Sequence, residues 1–209
     1  MSEKSESRAG ANDSRGGPRP GRVVALAATG AVALALFWIY AGAVSDGMAR
    51  YFRGEWERIS PDFTAQDPRR AETVPDFTLA DRFGNPVSLS QFDSIDLLLI
   101  NIWSSGCRVC LEEAPELAAL DRELASLGKV ALITIAIDES WADVAHHFPR
   151  GTNLRVLFDP DDEVGRGVFG TKAYPETFVL DSERRIRARF DGRRPWASDT
   201  MLGYLESFL

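Results

Sequence analysis

The arrangement of apolar and polar residues divides the chain into four parts. Residues 1–22 are rich in Ser, Gly, Pro, Arg and Glu, and this composition predicts a disordered tail. Residues 23–44 form a run of 22 residues without a charged side chain. Residues 45–73 form a connector of mixed polarity that is predicted to begin with a short helix. Residues 74–209 show the short apolar segments of a folded domain.

The apolar run at residues 23–44 is predicted to be a single transmembrane anchor. A helix of about 20 apolar residues spans a bilayer, and Trp38 and Tyr40 lie near one end, where interfacial aromatic residues are common. A cleaved signal peptide is the alternative, because Ala41-Gly42-Ala43 is a small-residue pattern, but the run is longer than a usual signal core. Basic residues are more frequent before the run than after it. This bias predicts a cytoplasmic N-terminus and places residues 45–209 outside the cytoplasm.

The first part of the folded domain predicts a hairpin, a central strand and a helix. Residues 74–92 contain short alternating runs on either side of Gly84-Asn85-Pro86, which is the pattern of a β-hairpin. Residues 96–102 are short and predominantly apolar, which is typical of a strand buried on both faces. After Cys107, apolar residues recur every three or four positions. This spacing predicts one apolar helix face and a helix that ends at Gly128.

The remaining segments alternate between predicted strands and predicted helices. Apolar runs predict strands at residues 130–137, 154–158, 176–181 and 185–190, and helical spacing predicts helices near 140–148, 161–168 and 197–208. The strand-helix-strand units imply parallel pairing, whereas the last two strands form an antiparallel hairpin. The predicted fold class is therefore α/β, with a central mixed sheet flanked by helices.

Charge and cysteine content narrow the possible functions. The net charge of −7 argues against nucleic acid as a partner, because an acidic chain does not neutralise a phosphate backbone. Cys107 and Cys110 are the only cysteines, and a disulfide between them closes too short a loop to stabilise the fold appreciably. A zinc site would need two more ligands, and adjacent helical residues such as His146 and His147 point in different directions. A redox pair remains, with no metal and no cofactor other than the Cys107–Cys110 disulfide.

The two cysteines occupy different positions in the predicted elements. The strand at 96–102 is followed by a short turn, so Cys107 lies at a helix N-terminus, where free N–H groups and the helix dipole stabilise a thiolate. Cys110 lies one turn inside the helix and is expected to be more buried. We therefore predict that Cys107 reacts with the substrate and that Cys110 resolves the mixed disulfide.

Four motifs, taken together, resemble one protein family. They are PDFTL at 75–79, INIWSSGCRVC at 100–110, the Glu113-Ala114-Pro115 run, and YPETFVLD at 174–181. This combination resembles the thioredoxin superfamily and, within it, the TlpA/ResA/CcmG-like group of membrane-anchored periplasmic thiol reductases. The resemblance covers residues 74–209. It implies a thioredoxin-like fold with an N-terminal β-hairpin extension, and it implies that Pro175 follows a cis peptide bond and faces the disulfide.

The chain departs from the thioredoxin pattern at two places. Ordinary thioredoxin has a buried Asp six residues before the first cysteine, and this chain has Asn101 there, which cannot titrate. Many relatives have a proline between the cysteines, and this chain has Arg108 and Val109. Arg108 either favours the thiolate electrostatically or is a solvated residue of the first helical turn.

Glu113 is the candidate to replace the missing Asp. It lies three residues after Cys110 on the same helix face, and the resemblance matches it to a buried glutamate of the ResA-like pattern. A carboxyl group in an apolar site near two sulfurs has a raised pKa and can exchange protons. The alternative is a surface acid favoured by the helix dipole, and Glu112 fits that description better.

The other site predictions concern client binding. Trp103 is expected to pack beside the cysteines, and we assign Trp103, Arg108, Tyr174 and Pro175 to the surface that binds the client. Trp196 follows the last hairpin and is predicted to have a packing role only.

The resemblance implies an oxidoreductase that reduces protein disulfides at the outer face of the cytoplasmic membrane. The implied clients are apocytochrome c, whose haem-binding cysteines must be reduced, or copper-site assembly proteins, and the implied electron donor is a transmembrane thiol carrier. Two other classes stay open. One is a client-binding module for metal-site assembly in which catalysis is secondary. The other is a thiol peroxidase, against which the two-residue cysteine spacing argues.

Overall fold

The structure is a computed structural model of the full chain, and it describes residues 20–61, 72–127, 129–138, 140–147 and 154–209. By internal contacts it divides into two compact units, Met1–Phe52 and Arg53–Leu209.

One long helix, α1 (Pro20–Ile59), contains the predicted anchor and the helical start of the predicted connector. From Leu34 to Phe52, its large hydrophobic side chains are exposed. Among the residues described here, no helix combines the length and the apolar content needed to cross a membrane. The predicted disordered tail and the later part of the connector fall largely on residues 1–19 and 62–71, which lie outside the described residues.

The second unit is built on a mixed sheet. Its strands are β1 (Thr78–Asp81), β2 (Pro86–Ser88), β3 (Leu97–Trp103), β4 (Val130–Ala136), β5 (Arg155–Phe158), β6 (Glu176–Asp181) and β7 (Ile186–Asp191). Its helices after α1 are α2 (Arg108–Leu124), α3 (Trp141–His147) and α4 (Asp199–Glu206). In the described part of the chain, the strand order is β2-β1-β5-β4-β3-β6-β7. The pairs β3–β4 and β4–β5 are parallel and the other pairs are antiparallel, which confirms the predicted α/β class and mixed sheet.

Strand β3 forms the centre of the sheet, and all its residues are buried, as its apolar sequence predicts. Because side chains alternate across a strand, Leu97 and Leu99 pack into the core beneath α2 and α4. Leu98 and Ile100 pack into a second core on the opposite face. Each buried leucine of this kind contributes about 1.5–3 kcal/mol. The strand is thereby fixed between two cores, and its end presents the residues before Cys107 at a defined position.

The predicted N-terminal hairpin is formed by β1 and β2. Its turn is held by the carboxylate of Asp81, which accepts hydrogen bonds from the backbone N–H groups of Phe83 and Asn85, both at 2.8 Å. Gly84 has a φ of 81°, a left-handed conformation that glycine adopts without steric cost. Strand β1 also pairs with β5, so the hairpin extends the sheet at one edge.

Helix α2 ends earlier than its apolar spacing predicts. The last helical residue is Leu124, and Ala125 is the C-cap, whereas the predicted end at Gly128 lies outside the described residues. Leu127 lies in the turn after α2 and still packs against the first core, the one beneath α2 and α4, which explains why the apolar spacing continues to this residue.

The helix predicted near residues 161–168 is present as a wide π-helical turn at Glu163–Val168. The backbone N–H of Phe169 donates to the carbonyl of Val164 at 3.0 Å, and the carboxylate of Asp159 accepts from the first three N–H groups of the turn at 2.8–3.1 Å. A buried carboxylate therefore caps the N–H groups at the start of the turn, which have no carbonyl acceptor within a helix. The spacing of apolar residues does not indicate such a side-chain contact.

Candidate active site

The two cysteines lie at the junction between β3 and α2. Cys107 is the N-cap of α2, and its Sγ accepts a hydrogen bond from the backbone N–H of Cys110 at 3.1 Å. The two residues form a disulfide. Cys107 is half-buried, whereas Cys110 is 3% exposed, so the predicted difference in burial is confirmed. An incoming reactant can therefore reach Cys107 but not Cys110, and the backbone N–H of Cys110 donates to the sulfur that it reaches.

The turn before Cys107 is held by Asp138, a buried residue just after β4. Its carboxylate accepts from the backbone N–H of Ser105 at 2.8 Å, from the Ser105 hydroxyl, and from the Ser104 hydroxyl at 3.3 Å. These bonds fix the loop that sets the start of α2. The pattern of residues along the chain does not indicate this role for Asp138.

The peptide bond between Tyr174 and Pro175 is cis, as the resemblance implies. The Tyr174 carbonyl oxygen lies 3.4 Å from Cys107 Sγ, so this segment faces the disulfide. The Tyr174 hydroxyl donates to the Asp162 carboxylate at 2.6 Å, and that carboxylate also pairs with Arg166. Partial burial and the Asp162 carboxylate raise the pKa of Tyr174, so its hydroxyl remains a donor at neutral pH.

Trp103 packs beside the cysteines, as predicted. It is buried in a small cluster that contains Cys110 and Val144, and the half-buried Cys107 and Tyr174 pack against the same cluster. The ring therefore supports the disulfide from the sheet side. Its participation in client binding stays a prediction.

Arg108 lies on the surface, with its side chain 85% exposed, and its guanidinium pairs with Glu112 at 2.8 Å. Glu112 is itself exposed, as predicted, and lies 3.9 Å from a guanidinium nitrogen of Arg193. These contacts agree with the first-turn interpretation of Arg108. An electrostatic effect of Arg108 on the Cys107 thiolate stays a prediction.

Glu113 is buried, with 1% of its surface exposed. Its Oε1 accepts from Trp196 Nε1 at 2.6 Å and from the backbone N–H of Arg194 at 3.0 Å, and its Oε2 accepts from Asn101 Nδ2 at 3.3 Å. Burial raises the pKa of Glu113, and the three hydrogen bonds oppose this effect in part. Glu113 is therefore the buried titratable group that its position on the cysteine face of α2 predicts.

Asn101 connects Glu113 to the surroundings of Cys110. Its Nδ2 donates to both Glu113 Oε2 and the Thr177 hydroxyl, the latter at 2.9 Å. Asn101, Trp103 and Cys110 line the same small cavity. Asn101 cannot titrate, but it donates a hydrogen bond to the Glu113 carboxyl group and lines a cavity together with the inner cysteine.

Trp196 is the residue of this network that the sequence prediction missed. It does pack, since its ring meets that of Phe190 edge-on at 5.2 Å, but its indole N–H is also a hydrogen-bond donor to Glu113. The packing-only prediction is therefore wrong in this respect. Trp196 lies 83 residues from Glu113, so no local spacing could connect them.

The chain is similar to several known proteins. The model of the AhpC/TSA family matches residues 71–189. The thiol-disulfide oxidoreductase ResA of Bacillus subtilis is 29% identical over 115 residues, which cover 54% of this chain and 62% of ResA, less than two thirds of its length. The thiol:disulfide interchange protein DsbE of Allochromatium vinosum is 30% identical over 147 residues, covering 64% of this chain and 77% of that protein.

Solved structures give the fold. A putative DsbE from Chlorobium tepidum superposes with a TM-score of 0.59 at 19% identity, covering 66% of this chain and 96% of that one. The thioredoxin domain of a thiol-disulfide oxidoreductase from Bacteroides vulgatus gives a TM-score of 0.56 at 20% identity, covering 68% and 99%. The second unit therefore has the thioredoxin-like fold that the motifs predict.

Proposed function

The chain belongs to the AhpC/TSA family of thioredoxin-like proteins, and from this membership we propose that it is a thiol-disulfide oxidoreductase whose reacting groups are Cys107 and Cys110. The membership confirms the predicted resemblance. One observation carries the proposal: an accessible cysteine at a helix N-terminus is disulfide-bonded to a buried cysteine one turn later. That arrangement suits exchange in two steps with separate roles for the two sulfurs.

In the reducing direction, the reaction begins with both cysteines as thiols. The Cys107 thiolate attacks one sulfur of the client disulfide, forms a mixed disulfide, and releases the other client sulfur as a thiolate. Cys110 then loses its proton and attacks Cys107 Sγ, which releases the second client sulfur and closes the Cys107–Cys110 disulfide. Two electrons pass to the client, and a transmembrane thiol carrier is proposed to restore the two thiols.

Glu113 is proposed to receive the proton of Cys110 through the small cavity that Cys110 shares with Asn101, the hydrogen-bond partner of Glu113 Oε2. The inner sulfur is shielded from water, so its proton needs an acceptor within the protein. The raised pKa of Glu113 brings this carboxyl group closer to the working pH, where a general base is most effective.

The client is proposed to bind across Trp103, Arg108, Tyr174 and Pro175. The Tyr174 carbonyl faces the reactive sulfur of Cys107. Arg108, the residue after Cys107, is exposed. A peptide running past Cys107 would meet both residues. By the resemblance to the TlpA/ResA/CcmG-like group, the proposed clients are apocytochrome c or copper-site assembly proteins.

The proposed function predicts that Cys110→Ser traps the client. Cys107 still attacks, but no second thiol resolves the mixed disulfide, so a covalent complex accumulates that dithiothreitol releases. Non-reducing electrophoresis and mass spectrometry of the captured protein measure the result and identify the client. The double variant Cys107→Ser/Cys110→Ser is the control and should capture nothing.

The same preparation tests the alternative functions. Rapid oxidation of the reduced wild type by hydrogen peroxide, with no mixed disulfide in Cys110→Ser, would contradict the proposal in favour of a thiol peroxidase. Client capture and biological rescue that persist in Cys107→Ser would instead favour a binding module.

We also propose that residues 23–44 anchor the protein, with the redox domain on the periplasmic side. The uncharged run and the basic residues before it support this proposal. A reporter enzyme that works only outside the cytoplasm, fused after Leu209, should be active and should sediment with membranes. The same fusion without residues 23–44 should be inactive. Activity confined to a cytoplasmic reporter would reverse the orientation, and release of a shortened soluble protein would indicate a cleaved signal peptide.

A further inference from the structure

The two oxygens of the Glu113 carboxyl group have different hydrogen-bond partners. Oε1 accepts from the indole N–H of Trp196 at 2.6 Å and from the backbone N–H of Arg194 at 3.0 Å. Oε2 accepts from Asn101 Nδ2 at 3.3 Å. Both partners of Oε1 come from the segment between β7 and α4, whereas the partner of Oε2 comes from the central strand β3.

The chemistry of these donors determines where a proton can reside on Glu113. An indole N–H and a backbone N–H can donate but cannot accept, so a proton on Oε1 would face two other hydrogens. A side-chain amide can present its oxygen instead of its nitrogen after half a turn, so Asn101 can accept a hydrogen bond from a protonated Oε2. The proton therefore belongs on Oε2, on the side of the residue that shares a cavity with Cys110.

We propose that Trp196 is a positioning residue for thiol-disulfide exchange: its N–H occupies Glu113 Oε1 and so directs the exchangeable proton to Oε2, which faces Asn101. The proposal rests on the proposed role of Glu113 as the proton acceptor of Cys110. Trp196 acts on the exchange through its hydrogen bond to Glu113.

The packing of Trp196 suits this role. Its side chain is fully buried in the first core, and its ring meets Phe190 edge-on at 5.2 Å. The direction of the indole N–H is therefore set by close-packed neighbours, so the hydrogen bond to Glu113 needs no further ordering when the enzyme reacts. If Trp196 only filled space in the core, the direction of its N–H relative to Glu113 would not matter.

In the described part of the chain, charged groups lie near Glu113 on the β7–α4 segment and on α2 itself. From the β7–α4 segment, the Arg194 guanidinium favours the carboxylate. From α2 itself come Cys110 and the neighbouring acids Glu112 and Glu116, while the residues that β3 and β6 contribute, Asn101 and Thr177, are neutral. The Trp196 bond lowers the pKa of Glu113 against the larger effect of burial, so its removal should raise that pKa further.

The test is Trp196→Phe, which removes the N–H and retains an aromatic ring. The pKa of Glu113 can be read directly from its carboxyl band in infrared difference spectra against Glu113→Gln. We expect it to rise by about one pH unit or more in Trp196→Phe, because hydrogen bonds to charged groups are the strong class. The Glu113-dependent inflection in the exchange rate should move upward by the same amount.

Two controls separate positioning from packing. Tyr204→Phe alters the same aromatic cluster through a ring 6.1 Å from Phe190 and should leave the pKa of Glu113 unchanged. In a Glu113→Gln background, Trp196→Phe should cause no further loss of exchange. If Trp196→Phe fails to fold, 3-benzothienylalanine placed at position 196 retains the shape of the bicyclic ring without its N–H.

The outcomes distinguish the two proposals. Two results would overturn the role of Trp196. One is an unchanged pKa of Glu113 in a folded variant that lacks the N–H, and the other is an equal loss of exchange in Trp196→Phe with and without Glu113. Either result would leave the proposed oxidoreductase function unaffected. A Glu113→Gln variant with wild-type exchange at every pH would overturn the proton relay, and the role of Trp196 with it. A raised pKa of Glu113 in Trp196→Phe, together with a shifted pH profile of the exchange rate, supports both the role of Trp196 and the proton acceptor role of Glu113.

Discussion

Replacing Cys107 by Ser is expected to abolish thiol-disulfide exchange, including its first half-reaction. The hydroxyl of Ser cannot form a disulfide, and Cys110 cannot substitute for Cys107 because it is 3% exposed and packed against Trp103. Cys107 alone combines access to solvent with a position at the N-terminus of α2, where the dipole and the N–H of Cys110 stabilise the thiolate. The loss of exchange activity in Cys107→Ser should therefore be complete rather than partial.

The measurement is the reduction of a peptide disulfide, followed by mass spectrometry of quenched samples. The matched control is Cys110→Ser, which should complete the first step once and stop at the mixed disulfide. Thermal unfolding of both variants in the reduced state checks that the fold is retained. A mixed disulfide formed through Cys110 in the Cys107→Ser variant would show that the two roles are reversed.

The parts of the site that local pattern determines could be predicted from the sequence. The apolar run of β3 predicts a strand buried on both faces, and the change of period after Cys107 predicts a helix start at that residue. Together they fix the cysteines at a strand-to-helix junction and make Cys107 the accessible one. The position of Glu113 on the inner face of α2 follows from the same helical spacing.

The partners of these residues could not be predicted, because they come from distant segments. Asp138 reaches Ser105 from 33 residues away, and Trp196 reaches Glu113 from 83 residues away. Such contacts depend on how β4 pairs within the sheet and on how the segment before α4 packs against it, and a short-range pattern carries no information about either. The π-helical turn after β5 depends on a closer contact, in which the Asp159 carboxylate accepts from N–H groups four to six residues later, but apolar spacing does not indicate that contact either.

Replacing Glu113 by Gln is expected to slow exchange on the order of tenfold to a hundredfold at neutral pH, at or below the lower limit typical of general acid-base steps. The reduction is moderate because the Cys107 thiolate supplies most of the reactivity. Gln keeps an oxygen that can accept the hydrogen bonds from Trp196 and Arg194, so these two donors stay paired. Gln cannot take the proton of Cys110, however. The resolving step should be affected and the first attack should not.

The sign of the pH dependence follows from the pKa of Glu113. Burial raises it above the ordinary value of a glutamate, and the hydrogen bonds from Trp196, Arg194 and Asn101 oppose this effect in part. The stability that Glu113 contributes is fully present below the unfolded pKa and is lost as pH rises through the folded pKa. Over the same interval the carboxylate forms and becomes able to accept a proton. The wild type should therefore gain exchange rate, and lose stability relative to Glu113→Gln, as pH rises.

The control for this prediction is Glu112→Gln, which lies next in sequence but points to solvent and pairs with Arg108. It should match the wild type in exchange rate and in the pH dependence of unfolding. Stopped-flow exchange and chemical denaturation of the three proteins, from about pH 5 to pH 9 around the relevant pKa values, give the comparison. If Glu113→Gln and Glu112→Gln behave alike across that range, Glu113 is a structural acid, and the proton of Cys110 leaves by another route.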